Sequence, residues 1–312
     1  MKKNILNSIN NINSISNLIK IKILVVGGGG MKGLEFIGSL KYLYELNLLN
    51  NIEEYYGCSI GSYISLLLII GYSIDEIINL SINFDYSMII GKINNIFHNY
   101  SIGNYELYIN IIKSVIKIKN FDSDITFKQL YDKTQKIFNV IGYNISQKKE
   151  VMINYITFPN MKIWEGVYLS CALPLLFKPY LYENEYYCDG GISNICPINS
   201  VPSEKQKYTL GVFSKIFTSH INIHTYIENK SFQNFFYYIF ELLYVSYQKE
   251  TYKHKIYQNA IWLESYDKLS MVRFNCNKED KQNLIKKGYI LCKNNILDVL
   301  NYLININKNN IN

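Results

Sequence analysis

Apolar residues along this chain fall into short runs whose spacing switches between strand and helix types. Ile21 to Val26 is a compact β-branched run of the kind buried strands use. Four glycines, Gly27 to Gly30, stop it. From Met31 to Leu46 the apolar positions Leu34, Ile37, Leu40 and Tyr44 recur at helical spacing. Ile52 to Tyr56 predicts a second short strand ending at Gly57. After Gly61, the apolar stretch Tyr63 to Ile70 predicts a helix closed by Gly71. Strand, loop, helix, strand, turn, helix is the pattern of a parallel sheet with helices on its faces.

Residues 72 to 150 read as mostly helical, with Lys- and Asn-rich breaks. Glu150 to Thr157 resembles a strand, and Trp164 to Ala172 a helix ended by Leu173-Pro174. Tyr186 to Cys188 leads into Asp189-Gly190-Gly191, and Tyr208 to Phe213 predicts a later strand. Ser231 to Tyr247 is a long aromatic segment with Glu241 inside it. Its apolar residues lie nearly all round, so it reads as a core helix, with a membrane-facing or acyl-pocket helix as the alternative. The Asn-rich end after about Tyr302 reads as frayed. No composition shift marks a domain boundary, and no internal repeat is present.

Composition narrows the classes. Hydrophobic residues make up 48% and aromatics 15% of 312 residues, ample for a large core and incompatible with a disordered, collagenous or coiled-coil chain. The net charge is +7, yet Arg273 is the single arginine. Reading nucleic-acid bases usually takes arginine forks, so a nucleic-acid partner is not expected. No two of the six cysteines are spaced as CxxC, so no zinc site is expected. The first 20 residues read as a flexible lead-in rather than a signal peptide, and no uninterrupted apolar span of ~20 residues exists. An intracellular protein with reduced thiols, cytoplasmic or peripherally attached to a membrane, is the expectation.

Two motifs carry chemistry. Gly28-Gly29-Gly30-Met31-Lys32-Gly33 sits between a strand and a helix, where bare backbone N–H groups and a helix N-terminus can hold a phosphate or a developing oxyanion. It also fits GxGxxG, and Glu53 lies 20 residues past Gly33, so a nucleotide-binding enzyme is a rival reading. Glu53 precedes the second strand's apolar part, however, where a ribose-binding acid should follow it. The second motif is Gly57-Cys58-Ser59-Ile60-Gly61, a GxSxG pattern between extended chain and an apolar helix. Its glycines permit a sharp turn that exposes the Ser59 hydroxyl. A base for Ser59 is offered by Asp189, held before Gly190 and Gly191, or by a triad of Ser59, Asp189 and His220 or His224.

Four blocks in order resemble the patatin-like phospholipase family: Val25–Gly33, Gly57–Gly61, Tyr168–Tyr180 and Tyr186–Pro197. The likeness spans roughly residues 21 to 215 and weakens toward 300. It implies an α/β fold, three-layered α/β/α with a mainly parallel central sheet. It implies a catalytic core over 21–215, with a mostly helical part, 216–312, packed on the same domain. The implied function is lipid acyl hydrolysis of the phospholipase A type, acting on a membrane lipid or phospholipid at an interface, without cofactor or metal. Ser59 matches the family nucleophile, Asp189 the proton acceptor of its DGG motif, and Gly28, Gly29 and Gly30 its oxyanion loop. Lys32, Gly33, Gly57, Gly61, Gly190 and Gly191 match supporting positions, and a dyad without histidine is implied. A catalytically silent lipid-binding relative is the alternative. The sequence departs from the family after Asp189: Pro197 is in place, but Asn194 comes one residue early and Ile195 takes the usual Asn position. No family block matches within 85–150.

Overall fold

The strand β1 (Ile23–Val26) is buried along its whole length at the middle of a mixed sheet. The computed structural model describes residues 19–90, 100–216, 257–265 and 274–308. On one side of β1 lie β2 (Glu54–Cys58) and then β3 (Ile137–Asn144), both parallel. On the other lie β7 (Thr209–Ile216) and β8 (Ala260–Ser265), also parallel. Three antiparallel strands extend the β3 end: β4 (Lys149–Ile153), β6 (Glu185–Asp189) and, beyond β6, β5 (Tyr180–Tyr182).

Alternation along β1 explains the layering. Leu24 and Val26 belong to one buried cluster and Ile23 and Val25 to another, because successive side chains leave opposite faces of a strand. The larger face is covered by helices α1 (Gly33–Glu45), α2 (Ile60–Ile69), α3 (Ile74–Asn83), α4 (Tyr105–Ile118), α5 (Phe127–Thr134), α6 (Ile163–Ser170) and α7 (Lys278–Lys308). The smaller face carries the helical turns Pro197–Ser200 and Ser203–Tyr208, with Ile198 and Val201 buried against Val25 and Phe213. This is a mostly parallel α/β sheet covered by helical structure on both faces.

Sequence and structure part company at β3. It lies inside the stretch read as mostly helical, and it is the hub of the sheet's polar end. Its residues Ile137–Asn144 show no clean alternation because a central strand is buried on both faces. Its asparagines are buried too, and they are satisfied. Asn139 donates to Glu54 and accepts from Asn154, and Asn144 donates to Glu185. The helices of that stretch are α3, α4 and α5, and β4 begins at its end. The chain end is more ordered than its Asn content suggests: α7 runs on to Lys308, with Leu303 fully buried. Residues 1–18 and the aromatic segment Ser231–Tyr247 lie outside the described residues.

Helices α1 and α7 touch backbone to backbone. Gly38 lies against the Ile285 carbonyl and Gly288 against the Glu35 carbonyl, each so close that no Cβ fits. Ser39 Oγ donates to Gly288 O at 3.0 Å, and Lys287 pairs at 2.8 Å with Glu35, which is fully buried. Gly288→Leu is therefore expected to push the two helices apart and destabilise the protein by about 2–3 kcal/mol. A urea melt shows this as a lower midpoint; an unchanged midpoint would mean that α7 is not seated on α1.

Candidate active site

Strand register brings the two candidate residues together. Residues Val140 and Ile141 of β3 pair with β4 on one edge and β2 on the other. Gly142 to Asn144 still pair with β4, but their other edge is taken by β6. So β2 and β6 share one edge of β3 and meet end to end. Cys58, the last residue of β2, lies opposite Ile141, and Asp189, the last of β6, lies opposite Gly142. Ser59 follows Cys58 directly. The meeting leaves Ser59 Oγ donating to Asp189 Oδ2 at 2.7 Å.

Ser59 sits in a turn of unusual backbone. Its φ is 52° and ψ −128°, a conformation that costs of order 1–3 kcal/mol for a residue other than glycine. Gly57 and Gly61 permit the turn. A Cβ on Gly57 would strike the Ser62 backbone, and one on Gly61 would strike the Val26 carbonyl. The strained turn is pinned from behind. The Ser59 N–H donates to Ser170 Oγ at 3.0 Å, and Ser170 Oγ in turn donates to the Ile141 carbonyl at 2.5 Å. On the other side, Ser62 Oγ donates to the Ser59 carbonyl at 2.6 Å. Ser170, fully buried at the end of α6, is a site residue that sequence reasoning passed over. Its only signal in the sequence was its place within the family-like block Tyr168–Tyr180.

Asp189 is 2% exposed. Its second oxygen, Oδ1, accepts the Gly191 N–H at 2.7 Å. Gly190 packs so close to the Ile141 carbonyl that no side chain fits there. Burial pushes the Asp189 carboxyl up from 3.8 to about 7, while the hydrogen bonds from Ser59 and Gly191 pull it down less strongly. A carboxylate poised near neutral pH and bonded to a serine hydroxyl is suited to general-base work. Burial and the Asp189 charge push the nearby Cys171 thiol up to about 12, so it stays a thiol.

The glycine loop runs beside Ser59. A Cβ on Gly28 would sit 3.3 Å from Ser59 Cβ, and Gly30 has a φ of 53°, which favours glycine. The three glycines differ in what they offer. The Gly28 N–H donates to the Ile195 carbonyl at 2.9 Å, so that amide is committed, whereas those of Gly29 and Gly30 enter no backbone hydrogen bond among the described residues. Ile195, at the position where the sequence departs from the family pattern, thereby holds the loop. Asn194 bonds Glu150, Asn199 and Ser200 and fixes the same turn. Lys32 is fully buried, and Gly33 packs against Ile60.

Glu53, the acid of the nucleotide reading, is at the wrong end of the sheet. It precedes β2 and pairs with Lys22 at 2.9 Å, while the glycine loop follows β1. The four residues of β1 separate them by about 13 Å along the strands. All four histidines, His220 and His224 included, lie outside the described residues. Among the described residues, no group of three or more His, Cys, Asp or Glu side chains is placed to hold a metal ion.

A cavity of about 800 Å³ adjoins Ser59, Asp189 and the glycine loop. Its walls are mainly Ile, Leu, Val and Tyr side chains of α1, α2 and α4, with Phe84 and Phe177 beside them, while α3 adds Leu80 and the polar Glu76 and Asn79. Such a cavity suits an apolar ligand with one polar end. Among the described residues, no helix is long and apolar enough to cross a membrane.

Known proteins align with these features. A family model described as patatin-like phospholipase matches residues 24–201. A protein of Invertebrate iridescent virus 6 named "Probable lipid hydrolase 463L" is 33% identical over 215 residues, covering 65% of this chain and 73% of that protein. "Uncharacterized protein R571" of Acanthamoeba polyphaga mimivirus is 26% identical over 295 residues, covering 91% and 96%. "Triacylglycerol lipase 4" of Saccharomyces cerevisiae is 28% identical over 207 residues, 56% of this chain but 22% of that protein. The crystal structure of VipD from Legionella pneumophila superposes with a TM-score of 0.55 at 17% identity, covering 91% of this chain and 67% of that one, a likeness of fold.

The raised Asp189 pKa has a consequence for stability. Folding favours the protonated acid, so this group's contribution is full below about pH 4 and is lost as pH rises through about 7. The offset from 3.8 to about 7 corresponds to at most about 4 kcal/mol. Asp189→Asn keeps an uncharged group that can still accept from Gly191. At pH 8 the variant is expected to melt several degrees above wild type, with the gap closing toward pH 4. Thermal melts at both pH values check this; a gap that does not depend on pH would mean that Asp189 titrates normally.

Proposed function

The chain belongs to the patatin-like phospholipase family, and from that premise we propose that it is a lipid acyl hydrolase working through Ser59 and Asp189. The observation that carries this reading is the 2.7 Å hydrogen bond from Ser59 Oγ to a buried carboxylate with raised pKa. In the proposed reaction, Ser59 Oγ attacks the ester carbonyl carbon as its proton passes to Asp189 Oδ2. The tetrahedral oxyanion is met by the N–H groups of Gly29 and Gly30. Gly28 shapes the loop, since its own N–H is bound to Ile195. Collapse expels the alcohol, which takes the proton from Asp189, and leaves the acyl group on Ser59. Water then attacks the acyl carbonyl as its proton passes to the same carboxylate; the Ser59 Oγ–acyl bond breaks, Ser59 takes the proton back from Asp189, and the fatty acid leaves. Preorganised donors such as the glycine amides typically contribute ~10²–10³ each in rate. The apolar cavity beside Ser59 supports a fatty-acyl ester as the substrate.

The membrane phospholipid and the neutral acylglycerol are both candidate substrates. The second is favoured by one observation: Asp189 and Glu76 are the charged side chains among the described cavity-lining residues, and neither can pair with a phosphate.

Wild type, Ser59→Ala and Asp189→Asn, each checked for folding by circular dichroism, are to be compared on phospholipid vesicles and on emulsified triacylglycerol. Free fatty acid is read by mass spectrometry. Wild type is expected to release fatty acid, and each variant to lose about a thousandfold or more. An inert folded wild type favours the binding-only relative, and activity surviving Ser59→Ala removes the nucleophile assignment.

A pH series on a soluble short-chain ester gives an independent check. Asp189 must be ionised to accept the proton, so kcat/KM is expected to climb about tenfold per pH step below about 7 and level off above it. A flat profile between pH 5 and 8 would exclude Asp189 as the base.

A further inference from the structure

The cavity beside Ser59 has a direction. Along α2 it is lined by Ile60, Tyr63 and Leu67, one helical face running away from the nucleophile. Along α4 it is lined by Tyr108, Ile111, Val115 and Ile118, again one face. Tyr108 marks the near end, because it touches Cys171, which itself contacts Ser59. From Tyr108 to Ile118 is ten residues of helix, or about 15 Å. An extended alkyl chain advances about 1.25 Å per bond, from C–C bonds of about 1.5 Å and angles near 111°. The two helices therefore flank about twelve carbon–carbon bonds.

The distal half is held firmly. Leu67 and Val115 are 2% and 5% exposed. The Tyr72 hydroxyl donates to the Val115 carbonyl at 3.0 Å and ties α4 to the turn after α2. Outside it, Lys119 lies 4.4 Å over the Tyr72 ring and pairs with Glu76 at 2.8 Å. A far wall fixed by a hydrogen bond and an ion pair does not adapt freely to its occupant.

We infer that this cavity receives one acyl chain of about twelve carbons or more, and that Leu67, Tyr72 and Val115 set the enzyme's acyl-chain-length preference. The inference rests on the acyl-hydrolase reading for its biological meaning, but it can be tested by binding alone. Burying one methylene strengthens association about fourfold. Each residue meeting the chain's distal half therefore governs the affinity for long chains and leaves short ones less affected.

The test uses full-length Ser59→Ala, which cannot turn substrate over. Octanoate, dodecanoate and palmitate, below their micellar concentrations, are titrated by calorimetry. Affinity is expected to rise steeply from octanoate to dodecanoate. In Ser59→Ala/Val115→Trp, which fills the distal half, the palmitate-to-octanoate affinity ratio is expected to fall at least tenfold. Ser59→Ala/Leu67→Trp approaches from the facing helix and should shift the ratio the same way, so one misfolded variant does not stop the test. An unchanged ratio in either folded variant, or no chain-length dependence in Ser59→Ala, overturns the inference. Chain-length-dependent binding by a protein whose wild type hydrolyses no ester would leave the inference standing and remove the hydrolase reading instead.

Discussion

The end-to-end meeting of β2 and β6 along one edge of β3 is the constraint on which the rest of the site depends. Neither Ser59 nor Asp189 is placed by its own element alone. Each is the terminus of a strand whose register is fixed by hydrogen bonds to a third strand, and the two termini fall on adjacent register positions. A one-residue slip of either strand would turn the terminal side chain to the other face of the sheet. The polar ladder of Asn139, Glu54 and Asn154, and the bond from Asn144 to Glu185, tie β3 to β2, β4 and β6 and oppose such a slip.

Two costs are concentrated at this junction. Ser59 holds a strained backbone, and Asp189 is buried where its charged form is disfavoured. Both persist because the surroundings over-determine them. Ser170 and Ser62 grip the backbone on either side of the turn, and Gly191 and Ser59 bond both oxygens of the carboxylate. The same burial that weakens the fold at neutral pH makes Asp189 basic enough to take a proton. Stability and reactivity are thus opposed at a single carboxyl group, a common outcome where a site must be prepared in advance of its substrate.

The cavity follows from the same layout. The turn at Ser59 starts α2, so Ser59 necessarily stands at the head of whatever groove α2 borders. Helix α4 comes from the 85–150 stretch without family blocks, and with α3 it supplies the groove's other wall. The cavity thus joins one wall that continues directly from Ser59 to a second wall drawn from a separate stretch of chain.

What the sequence determined by itself was local. A β-branched run, a glycine loop and an amphipathic helix specify their own conformation within a few residues, so β1, α1, β2 and α2 were legible, as were the Gly57–Gly61 turn and the Asp189-Gly190-Gly191 end of β6. Tertiary structure decided whatever required distant partners. Strand β3 was hidden because a strand buried on both faces loses the alternation that betrays strands, and its asparagines look like loop residues until their partners are in place. Ser170 was hidden because its value lies in one hydrogen bond to a backbone 111 residues away. The commitment of the Gly28 amide, the burial of Lys32 and the raised pKa of Asp189 depend likewise on what folds around them. Spacing along a chain encodes period and turn chemistry; it does not encode which buried groups will find each other across the sheet.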